Sequence, residues 1–181
     1  MKYLLLALAC CLAGFSTFAQ ENMIYGKRHL ITVETPTDWV QMQHAQLPYM
    51  IVPADTKSQP AAYMYVFGMD YPTSPDVEAW MKSNTEALEK AVKGATIKPL
   101  DVTLDNIRPE GYTTGRYKAV LYIYPNGKKE VLLAIECKHT IVTIVCSVTD
   151  GTLFEQYLPA FTAAAGSLQI SEAEITTVEE N

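Results

Sequence analysis

The residues best suited to acid–base or metal chemistry are scattered along this chain. The three histidines are His29, His44 and His139, and none has the spacing or the neighbouring carboxylate pair of a metal site. The pattern predicts that all three are exposed and incidental. Asp55 and Asp70 are too isolated in sequence to suggest a carboxylate pair, and no nucleophile elbow or glycine-rich phosphate loop occurs. The sequence therefore predicts a protein that is not an enzyme, with no metal and no cofactor.

One polar row is a candidate ligand or partner surface. Tyr117, Glu136 and Thr143 fall in three consecutive strand-like segments and are predicted to align across them. Glu136 interrupts the apolar run LLAIEC, so the row could anchor a ligand or hold a helix. The alternative is a solvated end of the sheet, and it is favoured because buried carboxylates are rare unless they are paired. Trp39 and the aromatic strand around Tyr65 indicate a second candidate surface.

The elements that position these residues centre on residues 117–149, which are predicted to form three strands joined by tight turns. Asn126-Gly127 is typical of a type I′ hairpin turn, and His139-Thr140 is the predicted second turn. These turns place Val120 opposite Leu133 and Leu133 opposite Cys146. Seven residues then share one face, and Tyr117, Glu136 and Thr143 share the other. The seven are Val120, Leu133, Ile135, Cys137, Val142, Ile144 and Cys146.

The cysteines Cys137 and Cys146 are predicted to be free, buried thiols. In the predicted register they lie on one face but four residues apart along neighbouring strands, which is too far for a disulfide. A bridge is the less favoured alternative. Because the chain has no CxxC motif, a redox role or a zinc knuckle is not indicated.

The N-terminus predicts export. Lys2 precedes an apolar stretch at residues 3–15, and Thr17-Phe18-Ala19 places small residues where a signal peptidase cleaves, so residues 1–19 are predicted to be a signal peptide. The apolar stretch is too short for a membrane span. Soluble export to the periplasm or the medium is favoured, and lipid anchoring at Cys10 or Cys11 is the alternative.

Length and charge limit the remaining functions. The 181 residues carry 20 acidic and 14 basic side chains, a net charge of −6, and have no basic stripe, so nucleic acid is not an expected partner. About 160 exported residues suit one domain. Residues 20–28 are predicted to be a loose lead-in, residues 29–170 the domain, and residues 171–181 a disordered acidic tail.

Hydrophobic patterns predict the other elements. Strands are expected at residues 29–34, 49–52 and 61–69, the third of them central because both of its faces are apolar. A helix is expected to open at Ser74-Pro75 and to end near Gly94. Residues 96–106 are expected to be an edge or bent strand because of Pro99. A closing helix is predicted to begin at Thr152 and to kink or restart at Pro159.

This order of elements predicts an α+β fold, a mostly antiparallel sheet of six to seven strands covered by helices. Two segments resemble the PsbP/DcrB-like group of small exported α/β/α-sandwich proteins. The first is the strand, proline and tryptophan opening ITVETPTDW, residues 31–39. The second is the closing helix with Phe154, Tyr157, Pro159 and Phe161, followed by Ser167-Leu168.

The resemblance implies an accessory or assembly factor of the bacterial cell envelope that binds another protein, and it supplies no catalytic residue. The alternative is a carrier of a small molecule or lipid, with a pocket between the sheet and the first helix. The predicted partner surface comprises Trp39, Tyr65, Tyr117, Glu136 and Thr143. The sequence identifies neither the partner nor the oligomeric state.

Overall fold

A computed structural model describes residues 21–56 and 59–173 of the chain. Within them the chain forms ten strands, two α-helices and one short 3-10 helix, Gly151–Leu153. The elements in chain order are β1 (Glu21–Tyr25), β2 (His29–Glu34), β3 (Trp39–Gln41), β4 (Tyr49–Pro53), β5 (Ala62–Asp70), α1 (Val77–Ala91), β6 (Thr96–Pro99), β7 (Thr113–Ile123), β8 (Lys129–Cys137), β9 (Thr140–Val148), α2 (Phe154–Ser167) and β10 (Gln169–Glu172).

The strands form two antiparallel sheets. The larger has seven strands in the order β3-β4-β5-β9-β8-β7-β6, and the smaller has the order β1-β2-β10. Helix α1 packs on β7 and β8, whereas α2 and β2 cover the opposite face of the large sheet. This confirms the predicted α+β sandwich. As predicted, β5 is central and the strand that contains Pro99 is an edge.

Each face of the large sheet carries its own core. On the α2 face, the apolar side chains of the central strands pack against Ile31, Val33 and Phe161. On the α1 face, Val77 and Met81 of the helix pack against residues of β7, β8 and β9. The two thiols, Cys137 and Cys146, are free and buried on the α2 face, as predicted. Burial raises the pKa of each to about 12, so they act as small apolar side chains.

The first hairpin differs from the prediction by one residue. Its loop has three residues, 125–127, because Gly127 donates to the carbonyl of Tyr124 and adopts a positive φ of 86°. This is the turn followed by a left-handed residue that three-residue hairpins use. Val120 therefore pairs with Leu132 instead of Leu133. Since a shift of one residue reverses the faces of a strand, Val120 lies on the α1 face and Tyr117 on the α2 face.

The second hairpin differs by two residues, and its faces stay as predicted. The loop consists of Lys138 and His139, and Leu133 pairs with Ile144 instead of Cys146. A shift of two residues preserves side-chain orientation. The remaining six residues of the predicted face therefore do lie together in the core of the α2 face.

The helices begin later than the sequence patterns indicate. Asp76, not Ser74, caps α1, because its carboxylate accepts a hydrogen bond from the N–H of Ala79 at 2.8 Å. Asp150 caps the 3-10 turn that precedes α2, so the predicted capping box at Thr152 is not the start of the helix. Helix α2 also runs through Pro159 without restarting.

The ends of the domain differ from the prediction: a strand replaces the lead-in, and the strand after the closing helix reaches past residue 170. Residues 21–25 form β1 instead of a loose lead-in, and β10 extends to Glu172 by pairing with β2. The strand predicted over residues 96–106 ends at Pro99. The signal peptide and residues 174–181 of the predicted tail lie outside the described residues.

Candidate functional site

Cross-strand rows of side chains pave the α1 face of the sheet. Because paired residues on neighbouring antiparallel strands point to the same side, the register fixes which residues meet. Three rows cross β7, β8, β9 and β5 in that order: Tyr122, Glu130, Ser147 and Tyr63; Val120, Leu132, Val145 and Tyr65; Lys118, Ala134, Thr143 and Phe67. The face is thus apolar in its middle and polar at the first row.

Helix α1 covers only part of this face. Its buried residues, Val77 and Met81, lie in its first five positions, and the rest of the helix contacts the sheet with half-buried side chains such as Leu88. A groove of about 590 Å³ remains between the helix, the sheet and the loop after β3, and we call it the α1 groove. Its lining includes Trp80, Asn84 and Leu88 of α1, His44, Gln46 and Leu47 of the loop, and Tyr63, Tyr65, Phe67, Met69, Tyr122, Glu130, Leu132, Thr143 and Val145 of the sheet.

Strand β5 supplies the floor of the α1 groove with large side chains. Tyr63, Tyr65, Phe67 and Met69 alternate along the strand and are only partly buried, whereas the residues between them face the core. The rings of Tyr63 and Tyr65 stack with centroids 6.4 Å apart. The central strand predicted to be covered on both faces therefore leaves one face accessible.

The polar row contains two hydroxyl groups without partners. Tyr122 and Ser147 are 2% and 0% exposed, and neither hydroxyl has a hydrogen-bond partner among the described residues. Burial, followed by the charge of Glu130, raises the pKa of Tyr122 to about 12. Its hydroxyl therefore keeps its proton at physiological pH and offers a donor that nothing in the described chain uses.

Glu130 is the charged member of this row, and its charge is balanced. Its carboxylate accepts from Lys128 at 2.8 Å and from the hydroxyl of Tyr124 at 3.2 Å. The ammonium of Lys128 also lies 4.8 Å from the ring centre of Tyr124 and 5.9 Å from that of Tyr63. Burial opposes the charge of Lys128, but the hydrogen bond and charge of Glu130 outweigh it and raise the pKa.

Glu136 fixes the start of α1 to the sheet. Its side chain is 7% exposed, and its carboxylate accepts a hydrogen bond from the N–H of Val77 at 2.8 Å. A carboxylate at this position also complements the partial positive charge of the helix N-terminus. Glu136 thus holds a helix, which was one of the two functions considered, and the favoured alternative of a solvated sheet end is wrong.

Three further contacts complete this anchor. The guanidinium of Arg116 contacts Glu136 at 3.0 Å and Asp76 at 3.2 Å, and Thr114 donates to Glu136 at 2.9 Å. The hydrogen bond from the N–H of Ala79 and the pairing with Arg116 hold the pKa of Asp76 below its usual value. The N-terminal end of α1 is therefore firmly attached, while its later turns border the α1 groove.

A second polar cluster, which the sequence patterns did not predict, joins the two sheets. His29 of β2 is 2% exposed, and its Nδ1 lies 2.7 Å from the carboxylate of Asp70. Thr140 donates to the same carboxylate at 2.6 Å and exchanges a 2.7 Å hydrogen bond with Tyr112. The prediction that His29 is exposed and incidental is wrong. Asp70 is likewise not isolated.

Two glycines enclose the ring of His29. A Cβ atom at Gly26 would lie 2.0 Å from the ring, and one at Gly68 would lie 2.3 Å from it. Glycine within a strand often marks a close approach of another group. Gly68, in the middle of the apolar strand β5, was thus the signal in the sequence that could have revealed this cluster.

The predicted surface residues divide among four places. Tyr65 and Thr143 both line the α1 groove, and Glu136 lies at the anchor of α1. Tyr117 lies on the opposite face, where its hydroxyl accepts from the N–H of Leu104 at 3.2 Å. Trp39 is 8% exposed and lies near α2, with its ring edge-to-face on Tyr157. Tyr117, Glu136 and Thr143 therefore do not form one row.

Residues 21–56 and 59–173 contain neither a candidate metal cluster nor a helix that could span a membrane. No cluster of three or more His, Cys, Asp or Glu side chains there could hold a metal ion. Over the same residues, no helix is long and apolar enough to cross a membrane.

Solved structures with a similar fold include two proteins of very different sequence. The first is cyanobacterial PsbP (CyanoP) from Synechocystis sp. PCC 6803, with a TM-score of 0.54 and 11% identity over 87% of this chain and 96% of that one. The second is LpqN of Mycobacterium tuberculosis, a protein involved in cell envelope biogenesis, with a TM-score of 0.58 and 13% identity over 85% and 92%. The PsbP-like fold expected from the sequence is confirmed. No protein-family model and no curated protein matches this sequence.

Proposed function

We propose that this chain is an exported, non-enzymatic accessory domain of the bacterial cell envelope, and that it binds a partner protein through the α1 groove. The similarity of fold to LpqN, described as involved in cell envelope biogenesis, supports the envelope context. The predicted signal peptide supports export. The partly exposed aromatic floor of the groove carries the proposal of a binding surface.

That floor has the character of a protein-binding surface. Tyr, Trp, Phe and Met are the residue types enriched at interfaces, and rigid aromatic anchors supply most of the binding energy there. Tyr65 and Phe67 project from the central strand of a seven-stranded sheet, so little conformational entropy is lost when a partner binds. The groove is open along the sheet, which suits the apolar side chains of a partner segment.

Site-specific photo-crosslinking tests this proposal. A photoreactive residue replaces Asn84, which is exposed on the rim of the α1 groove, in the full-length chain expressed in its host cells. The matched control carries it at Glu110, which is exposed and does not line the groove. We expect a discrete protein adduct from position 84 alone, and its loss when Tyr65→Ser is added. Equal adducts from both positions, or an adduct that persists with Tyr65→Ser, would contradict the proposal.

A second candidate function is transport of a small amphiphile in the same groove. The unpartnered hydroxyl of Tyr122, which lines the groove, favours it, because a ligand with an acceptor atom would satisfy a buried donor. Native mass spectrometry of the purified chain tests this candidate. A retained molecule that is lost in Tyr122→Phe and kept in Tyr124→Phe would establish it, whereas a ligand-free mass spectrum would exclude it.

A further inference from the structure

A second cleft lies at the opposite side of the molecule from α1. It is bordered by the end of β2 and the following turn, by the turn after β4, and by one side of α2, and we call it the α2 cleft. Its volume is about 770 Å³. Its apolar lining comprises Pro36, Trp39, Pro53, Ala54, Tyr157, Pro159, Ala160 and Ala163.

The apolar walls of the α2 cleft consist mainly of aromatic and proline side chains. Trp39 is 8% exposed, and its ring packs edge-to-face on Tyr157 with centroids 5.9 Å apart and planes at 84°. Pro36, Pro53 and Pro159 add pyrrolidine rings that have no N–H donor. At Pro159 the missing N–H also leaves the carbonyl of Glu155 without its usual helical donor. Aromatic-lined grooves of this kind take extended proline-containing segments.

The charged residues that line the α2 cleft are all acidic. Glu34, Asp38 and Asp55 are exposed, and the described lining contains no Lys, Arg or His. None of the three carboxylates forms an ion pair or accepts a side-chain hydrogen bond within residues 21–56 and 59–173. A cleft lined by charges of one sign concentrates ligands of the opposite sign. The charge of the cleft therefore favours a cationic occupant.

Backbone hydrogen bonds hold the turn that carries Asp38. Asp38 is the only non-glycine residue with a positive φ, 63°, within the described residues. Asp38 lies in a turn closed by a 3.1 Å hydrogen bond from the N–H of Trp39 to the carbonyl of Pro36. The carbonyl of Asp38 accepts a 2.8 Å hydrogen bond from the N–H of Ala54. This bond links the turns of the two strands. The Asp38 carboxylate therefore projects from a fixed backbone, which lowers the entropic cost of binding there.

We propose that the α2 cleft binds an extended segment of another protein that contains both proline and basic residues. Prolines would pack on Trp39 and Tyr157, and Lys or Arg side chains would reach the three carboxylates. The chain's own residues 174–181 contain three Glu and no basic residue, so their charge makes them a poor occupant. This proposal concerns a different surface from the α1 groove and does not depend on it.

Peptide binding measured by fluorescence anisotropy tests the proposal. The probe is a labelled twelve-residue peptide of alternating Pro and Arg, and the comparison peptides are poly-Pro and alternating Pro and Glu. The variant Glu34→Gln/Asp38→Asn/Asp55→Asn removes the three charges, and Asn tolerates the positive φ of position 38. The matched control, Glu86→Gln/Glu89→Gln/Glu110→Gln, changes the net charge equally at exposed positions outside the cleft.

We expect the Pro-Arg peptide to bind better than poly-Pro and the Pro-Glu peptide not to bind. The cleft variant should bind about tenfold more weakly at low salt, from three rim charges of modest effect each. The control variant should bind within about twofold of the native chain. Equal affinity for poly-Pro, or equal loss in both variants, would overturn the proposal. The proposal would also be overturned if spermidine displaced the labelled peptide at the same concentration as unlabelled peptide does. That result would identify the cleft as a site for small polycations.

Discussion

The α1 groove and the α2 cleft are both lined by aromatic residues, yet they differ in charge. In the groove, the one carboxylate among the described lining residues is neutralised by Lys128 at 2.8 Å, and the surface offers apolar contact and the unused hydroxyl of Tyr122. In the cleft, three carboxylates have no basic neighbour among the described lining residues. Aromatic lining alone therefore does not specify a ligand. The charges beside the aromatic residues determine whether a neutral or a cationic apolar ligand binds.

The two sites also differ in how the chain builds them. The groove is the uncovered part of regular cross-strand rows, so its floor belongs to the sheet itself. The cleft forms where β2 and β4 end and their turns meet α2. We therefore expect the groove to keep its shape in variants of surface residues, and the cleft to depend on a few packing contacts.

The largest expected difference is in stability, between a variant of Trp39 in the α2 cleft and a variant of Tyr65 in the α1 groove. Trp39→Ala removes a buried ring from the core and should lower the free energy of unfolding by about 3–5 kcal/mol. Tyr65→Ala removes a half-buried ring and should cost about 1–2 kcal/mol. Urea denaturation of both variants measures the difference. Equal losses of stability would show that Tyr65 contributes as much to the folded state as Trp39 does.

The second effect concerns the anchor of α1. Glu136→Ala leaves the N–H of Val77 without its partner and breaks the ion pair with the half-exposed Arg116, so it should lower stability by about 2–3 kcal/mol. Glu78→Ala is the matched control, since Glu78 pairs with Lys118 at the exposed surface and should cost less than about 1 kcal/mol. Hydrogen exchange should rise in α1 and leave α2 unchanged. Stability that increased on removal of Glu136 would contradict the anchor.

The third and smallest effect depends on pH and concerns the carboxylate of Asp70, which is hydrogen-bonded to residues of both sheets. Burial alone would raise the pKa of Asp70, but hydrogen bonds from Thr140 and His29 outweigh it and hold the pKa below 3.8. The stabilisation is therefore present above the unfolded pKa and is lost as the pH falls through the lower folded pKa. Asp70→Asn should cost about 1.5–2 kcal/mol at pH 7.

Because β2 ends beside the α2 cleft, Asp70→Asn should increase hydrogen exchange in β2 and its following turn more than in β8. The stability difference from the native chain should shrink as the pH falls below about 4, the unfolded value for a carboxylate. Asp105→Asn, at an exposed position, is the control. A difference that stayed constant from pH 7 to pH 3 would contradict the assignment to the carboxylate of Asp70.

The sequence predicted the fold because its hydrophobic patterns are regular. The alternation along residues 61–69 identified a central strand, and Asn126-Gly127 located a hairpin. It did not predict the loop length there, since Gly127 can also serve as the left-handed last residue of a three-residue loop, Pro125-Asn126-Gly127. The one extra loop residue changes the register of β7, so Tyr117 lies on the α2 face of the sheet and not on the face predicted.

The polar clusters around Asp70 and Glu136 were less predictable, because both depend on contacts between distant segments. Asp70 lies 41 residues from His29, and Glu136 lies 59 residues from Val77. No local pattern identifies the partners in such pairings, although Gly68 marks a close approach to β5. Single residues still gave partial information: Trp39 and Tyr65 were identified as surface candidates, and each lines one of the two sites.

The enclosure of His29 by Gly26 and Gly68 has a consequence for how this sequence can diverge. Any side chain larger than hydrogen at either glycine would collide with the imidazole ring. Substitution at the glycines is therefore tolerated only after a smaller residue has replaced His29, and the reverse change requires both glycines to be restored first. The three positions form an epistatic unit, in which the order of mutations is constrained even though Gly68 lies 39 residues from His29 in the chain.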